Sequence, residues 1–130
     1  MQEAGAEARL TVRSCNPYRR GRRFEYRTRN YLRKLGWFVI RQARSSFPDL
    51  IALRDGSILL VECKVNGYMP SAERRHIVSL ARRQVRGKPI LAFRKAHELV
   101  LSELSSKSAR LDKPFNAQAE RDRGDNQCPR

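Results

Sequence analysis

An Asp-Gly pair at residues 55–56 constrains this chain most, because it joins two apolar runs that read as the strands of a hairpin. Pro48-Asp49-Leu50-Ile51-Ala52-Leu53-Arg54 precedes it, and Ser57-Ile58-Leu59-Leu60-Val61-Glu62-Cys63-Lys64 follows it. A two-residue loop of this composition favours the tight turn whose twist matches that of paired strands. The turn fixes the register. Arg54 faces Ser57, and each step back along one strand is a step forward along the other, which sets Asp49 opposite Glu62. Directly opposed residues have β-carbons roughly 5 Å apart, and two like charges there are destabilising unless something compensates them. A divalent cation would do so. Period-two alternation keeps Lys64 on the face of Glu62, with Val61 and Cys63 on the other.

Elements on either side complete an α/β pattern. From about Arg20 to Leu35, Phe24, Tyr31, Leu32 and Leu35 recur at helical spacing, and Gly36 supplies a stop. Trp37 to Arg41 is a short, nearly continuous apolar run, as expected of a strand covered on both faces. After the loop Val65 to Pro70, Ser71 is a candidate N-cap with Glu73 in the first turn. A second helix then runs to about Arg86, with Ile77, Leu80, Ala81 and Val85 inward and Gly87 ending it. Pro89 to Phe93 reads as a strand joined to the hairpin by a right-handed crossover, and His97 to Leu104 as a further strand. This divides the chain into a flexible arm over 1–18, a single folded domain over 19–104 and a polar, disordered tail over 105–130.

Composition narrows the function. The 130 residues carry 28 Lys and Arg against 13 Asp and Glu, a net charge of +15, which points to a polyanionic partner, nucleic acid first. Cys15, Cys63 and Cys128 are widely spaced, and adding His76 and His97 produces neither a disulfide framework nor zinc spacing. No apolar run approaches a membrane span and no signal-peptide core opens the chain, so the expectation is a soluble, cytoplasmic protein without a membrane partner.

The hairpin writes the pattern Asp-x12-Glu-x-Lys. Hard carboxylate oxygens suit Mg²⁺, with Mn²⁺ able to substitute, ions that bind through one or two carboxylates plus substrate phosphate. Lys64 would orient the nucleophile or steady charge in the transition state, which makes the chemistry phosphodiester hydrolysis. Glu25 borders the apolar stripe of the first helix and could lean toward the acids; it could equally offset Arg22 and Arg29 on an exposed surface. Taken singly, Asp49 could cap a loop and Glu62 with Lys64 could be a surface ion pair. Cys63 should be a buried, inert thiol whose backbone carbonyl alone could touch a metal.

Four segments together resemble one family. Arg-Gly-Arg-Arg-Phe-Glu (20–25), Gly-Trp-Phe-Val-Ile-Arg-Gln-Ala-Arg-Ser (36–45), Pro-Asp-Leu-Ile-Ala (48–52) and Val-Glu-Cys-Lys (61–64) resemble the archaeal-type Holliday junction resolvases of the PD-(D/E)xK nuclease superfamily, including virus- and phage-encoded relatives. The resemblance covers residues 19–104. It implies a restriction-endonuclease-like fold, a mixed sheet of about five strands flanked by helices. It further implies a homodimer and Mg²⁺-dependent paired incisions in four-way DNA junctions, in a host cytoplasm for a virus-encoded chain. Position by position, Glu25 matches the acid on the family's first helix, Asp49, Glu62 and Lys64 its metal and catalytic motif, and Arg41 and Ser45 its strand-end arginine and loop serine. Glu25, Asp49, Glu62 and the Cys63 carbonyl form the implied metal set, and Arg19, Arg20, Arg22, Arg23, Arg29, Arg41 and Arg44 the DNA-contacting set. Read from sequence alone, Arg41 could also be a solvent-capped strand end. Tyr26 stands where relatives often carry arginine, so the substrate interaction made there is missing or passes to Arg27, and the loop after Lys64 carries no lysine.

Overall fold

The computed structural model describes residues 17–43 and 47–118. Arg44, Ser45, residues 1–16 of the expected arm and residues 119–130 of the expected tail, including Cys15 and Cys128, lie outside the described residues.

The first helix, α1, spans Pro17–Lys34. Proline suits a first helical position, where its missing N–H would have had no partner, so Pro17 opens the helix. Phe24, Thr28 and Leu32 form its buried face. They recur every four residues, and the Thr28 hydroxyl donates to the Phe24 carbonyl at 2.8 Å. Tyr31, expected inward, is exposed, because it lies one residue off that stripe.

The hairpin forms as the turn requires. Strands β1 (Phe38–Arg41), β2 (Leu50–Arg54) and β3 (Ser57–Cys63) run antiparallel in sequence order. Arg54 pairs with Ser57 and Leu50 with Val61, the register that leads to Asp49 and Glu62 at the next step. Asp55 and Gly56 both have positive φ (51° and 84°), as this tight turn demands.

Helix α2 (Ser71–Ser79) continues as a widened π turn over Leu80–Val85. Pro70 occupies the cap position, its carbonyl accepting from Arg74 N–H at 3.0 Å, so Ser71 is the first helical residue and not the cap. The left-handed residue closing the helix is Arg86, φ 54°. Gly87 is required for a different reason, since a β-carbon there would stand 2.5 Å from the Ile58 carbonyl oxygen. Strand β4 (Lys88–Lys95) then returns parallel to β3, completing the expected crossover, and β5 (Glu98–Glu103) pairs antiparallel with β4.

The ordered fold continues past the expected boundary at 104. A short 3-10 turn (Ala109–Leu111) leads to β6 (Lys113–Pro114), making a sheet of six strands in the order β1-β2-β3-β4-β5-β6. Phe115 and the buried Ala117 pack on the core, and the Arg54 guanidinium ties this segment down by donating to the carbonyls of Leu35 (2.7 Å) and Ala117 (3.1 Å).

Side chains alternate between two cores. Phe24 and Leu32 of α1 pack with Val39, Leu50, Ala52, Leu59, Val61, Ile90 and Ala92 on one face of the sheet. Ile77, Val78 and Ala81 pack with Leu60, Leu91 and Leu104 on the other. Because α2 reaches only part of its face, β1 is an edge strand with one side bare: Phe38 is 65 % and Ile40 43 % exposed, against the expectation of cover on both faces. Among the described residues no helix is long and apolar enough to cross a membrane.

Candidate active site

Where the β2–β3 ladder ends, the two acids take over its hydrogen bonding. The Asp49 N–H donates to Glu62 Oε1 at 3.1 Å, and the Cys63 N–H donates to Asp49 Oδ2 at 2.9 Å. Each carboxylate is thereby fixed by the opposite strand, and the pair stands side by side as the register requires. The surroundings resist its charge. Burial, then the charge of Asp49, raises the Glu62 carboxyl from 4.5 to about 7, against the pull of the Asp49 N–H and Lys64. Burial also raises Asp49, outweighing the Cys63 N–H and the nearby cations.

Lys64 extends from the end of β3 and lies 3.7 Å from Glu62 Oε2. Its shortest ion pair is with Glu73 Oε1 at 2.9 Å. Burial alone would lower its pKa, but the contact with Glu73 and the charges of Glu62, Glu73 and Asp49 outweigh that and raise it. Lys64 is therefore a fixed cation at neutral pH. Sequence reasoning placed Glu73 correctly in the first turn of α2 but missed this partnership, because only the crossover folds that turn back over the end of β3.

Glu25 approaches from α1. Its Oε1 accepts from Arg41 Nε at 3.1 Å, and its pKa is raised by burial and then by the charge of Asp49, with Arg41 and Arg22 opposing. It therefore shares the electrostatic neighbourhood of the acid pair while paired to Arg41. Among the described residues no three His, Cys, Asp or Glu side chains converge as a ready-made metal cage. What the donor set offers a cation is the Asp49–Glu62 pair: two hard, adjacent carboxylates, held by backbone bonds and short of positive charge. That chemistry fits Mg²⁺ or Mn²⁺.

Arg41 also lies over the Tyr26 ring at 4.7 Å, and Arg29 over the same ring at 4.8 Å. Tyr26 is thus a platform that holds two guanidinium groups, a role its type did not announce. Arg29 is half-buried and engaged further by Asn30 Oδ1, whereas Arg19, Arg20, Arg22 and Arg23 are exposed along α1, Arg20 in the wall of the cleft that also holds Lys64. Phe47, just ahead of the acid, stacks on His76 of α2 with ring centroids 4.8 Å apart. Cys63 packs against the α1-side core, and burial pushes its thiol well up, as expected of an inert group.

The family model of the archaeal Holliday junction resolvases (Hjc) matches residues 16–122, most of the chain. The chain belongs to the archaeal Holliday junction resolvase family. The span of that match agrees with a fold that continues beyond β5. The crossover junction endodeoxyribonuclease Hjc of Methanocaldococcus jannaschii is 37% identical over 81 residues, 59% of this chain and 60% of that protein, so this resolvase-family chain aligns with under two thirds of its relative's length. The solved structure of Archaeoglobus fulgidus Hjc, described as a Holliday junction resolvase from an archaeal hyperthermophile, superposes with a TM-score of 0.56. It is 21% identical and covers 75% of this chain and 84% of its own, a likeness of fold.

Proposed function

We propose that this chain is a structure-selective DNA endonuclease that resolves four-way junctions by paired, symmetric, metal-dependent incisions. The observation that carries the reading is the Asp49–Glu62 pair, a half-buried and a buried carboxylate fixed across a hairpin beside a charged lysine in a protein of charge +15. Membership of the resolvase family supports it, as does the M. jannaschii relative named a crossover junction endodeoxyribonuclease.

Asp49 and Glu62 would hold Mg²⁺, with Mn²⁺ as a substitute, and the Cys63 carbonyl and Glu25 are the further donors implied by the resemblance. When bound, the ion supplies positive charge to the scissile phosphate and lowers the pKa of water. Lys64 contributes a second positive charge, aimed by Glu73, which steadies the extra negative charge of the transition state and is too firmly protonated to act as a base. Arg41, held by Glu25 and Tyr26, offers a guanidinium to the phosphate backbone, and the exposed arginines of α1 supply the rest of the electrostatic attraction.

Two opposed nicks from one site per chain call for a two-fold dimer. The bare face of the edge strand β1, with Phe38 and Ile40 exposed, is the candidate for its contact. Function in the cytoplasm follows from this reading. The test is cleavage of four-way, three-way, flap and linear DNA with and without Mg²⁺. Symmetric nicks in the four-way junction should appear only with the metal. Equal cutting of linear duplex would leave a general PD-(D/E)xK nuclease, and binding without cleavage in Mg²⁺ or Mn²⁺ a DNA-binding module.

A further inference from the structure

The loop between Lys64 and α2 borders two basic clefts and exposes one aromatic ring, that of Tyr68, at the wall of the second. One cleft, of about 570 Å³, is lined by Lys64, Val65 and Asn66 together with Arg20, Arg94 and His97. The other, of about 290 Å³, is lined by Gly67, Tyr68 and Met69 together with Arg75, Lys107 and Ser108. Consecutive residues of one loop thus form the wall of both, which makes the loop a ridge. The ridge is rigid. The Gly67 N–H donates to the Lys64 carbonyl at 2.8 Å, the Arg94 N–H to the Val65 carbonyl at 3.1 Å, and the Tyr68 N–H to Asn66 Oδ1 at 3.1 Å. Gly67 has φ 81° and passes so close to Phe93 that a β-carbon would meet its ring at 3.3 Å, while Met69 is buried in the α2-side core. Between those two anchors Tyr68 is 69 % exposed, four residues from the catalytic lysine.

We infer that this ridge divides two arms of a branched DNA, with Tyr68 stacking on the base at the branch point, an inference that rests on the nuclease reading. The cleft beside Lys64 takes the backbone of the arm that is cut. Arg75 and Lys107, both exposed, take phosphates of the neighbouring arm. A flat tyrosine ring stacks on any base, so it recognises an opened step without reading sequence, and an unbroken duplex offers it no free base face. A rigid backbone matters here, because a loop already held in place gives up little conformational freedom on binding.

Binding of an immobile four-way junction carrying 2-aminopurine at the branch point, and of a linear duplex, measured in EDTA to prevent cleavage, tests the assignment. Wild type should prefer the junction and quench the probe. Tyr68→Ala should bind the junction about tenfold more weakly with duplex affinity unchanged and quenching abolished, while Tyr68→Trp retains both. Neutralising Arg75 and Lys107 together should lower the salt slope of junction binding by about 1.8 and leave that of the duplex alone. Unaltered junction binding by folded Tyr68→Ala overturns the inference, and so does equal weakening on both substrates, which would make Tyr68 a general DNA-binding residue. A wild-type protein without junction preference would instead overturn the functional reading beneath it.

Discussion

Replacing Glu62 with glutamine should make the metal-free protein more stable at pH 8 while destroying its activity. In the folded chain the Glu62 carboxyl is raised to about 7, chiefly by burial and then by Asp49, from an ordinary 4.5. The folded state therefore holds a proton that the unfolded state releases between those values. The stability associated with that proton is fully present below about pH 4.5 and is lost as the pH rises through about 7. By pH 8 the loss is on the order of 2–3 kcal/mol, a large fraction of the total for a domain of this size. Glutamine removes the charge and keeps an oxygen in place to accept the Asp49 N–H, the bond that spans 3.1 Å in the wild type. Denaturant unfolding in EDTA from pH 5 to 8 is the assay. The wild type should weaken across that range and recover on adding Mg²⁺, whereas Glu62→Gln should be much flatter, more stable than wild type at pH 8 and little affected by the metal. A variant less stable than wild type at pH 8, or one with the same pH slope, would refute the reasoning.

Three further outcomes follow from the same geometry. Asp49→Asn should fold normally and fail to cleave, since one amide oxygen still accepts from Cys63 N–H; Asp49→Ala leaves that donor unpartnered and should cost about 1–3 kcal/mol in a denaturant titration. Glu73→Gln should lower kcat with little change in junction affinity, and in a Lys64→Met background it should have no further effect; an equal reduction in both backgrounds would show that Glu73 acts independently of Lys64. Neutralising the exposed Arg22 and Arg23 of α1 should flatten the salt dependence of DNA binding by about 0.9 for each phosphate the two arginines neutralise, read from affinities across a salt series.

The hairpin was legible in the sequence because its turn is local: Asp55-Gly56 sets the register, and the register sets Asp49 against Glu62. The crossover to β4 was legible too, since a helical pattern between two apolar runs leaves little choice. What escaped depended on position within the sheet. The run Trp37 to Arg41 looks like an interior strand, yet only its place at the edge, beyond the reach of α2, determines that Phe38 and Ile40 are bare. Phe115 and Ala117 sit in a polar tract without periodicity, and the Arg54 hydrogen bond that secures Ala117 comes from a residue 63 positions away. Glu73 read as an acid favouring a helix start, which it is; its second role needs the fold that brings it to Lys64.

Cleavage of a supercoiled plasmid bearing an extruded cruciform, by wild-type protein mixed with folded Glu62→Gln subunits, tests the central claim most directly. With Mg²⁺, wild type alone should give linear product through two cuts in one binding event, the mixture should accumulate nicked circles as mixed dimers form, and Glu62→Gln alone should bind without cutting. Linear product from Glu62→Gln alone, or no product from folded wild type in either Mg²⁺ or Mn²⁺, would contradict a nuclease centre built on Asp49, Glu62 and Lys64.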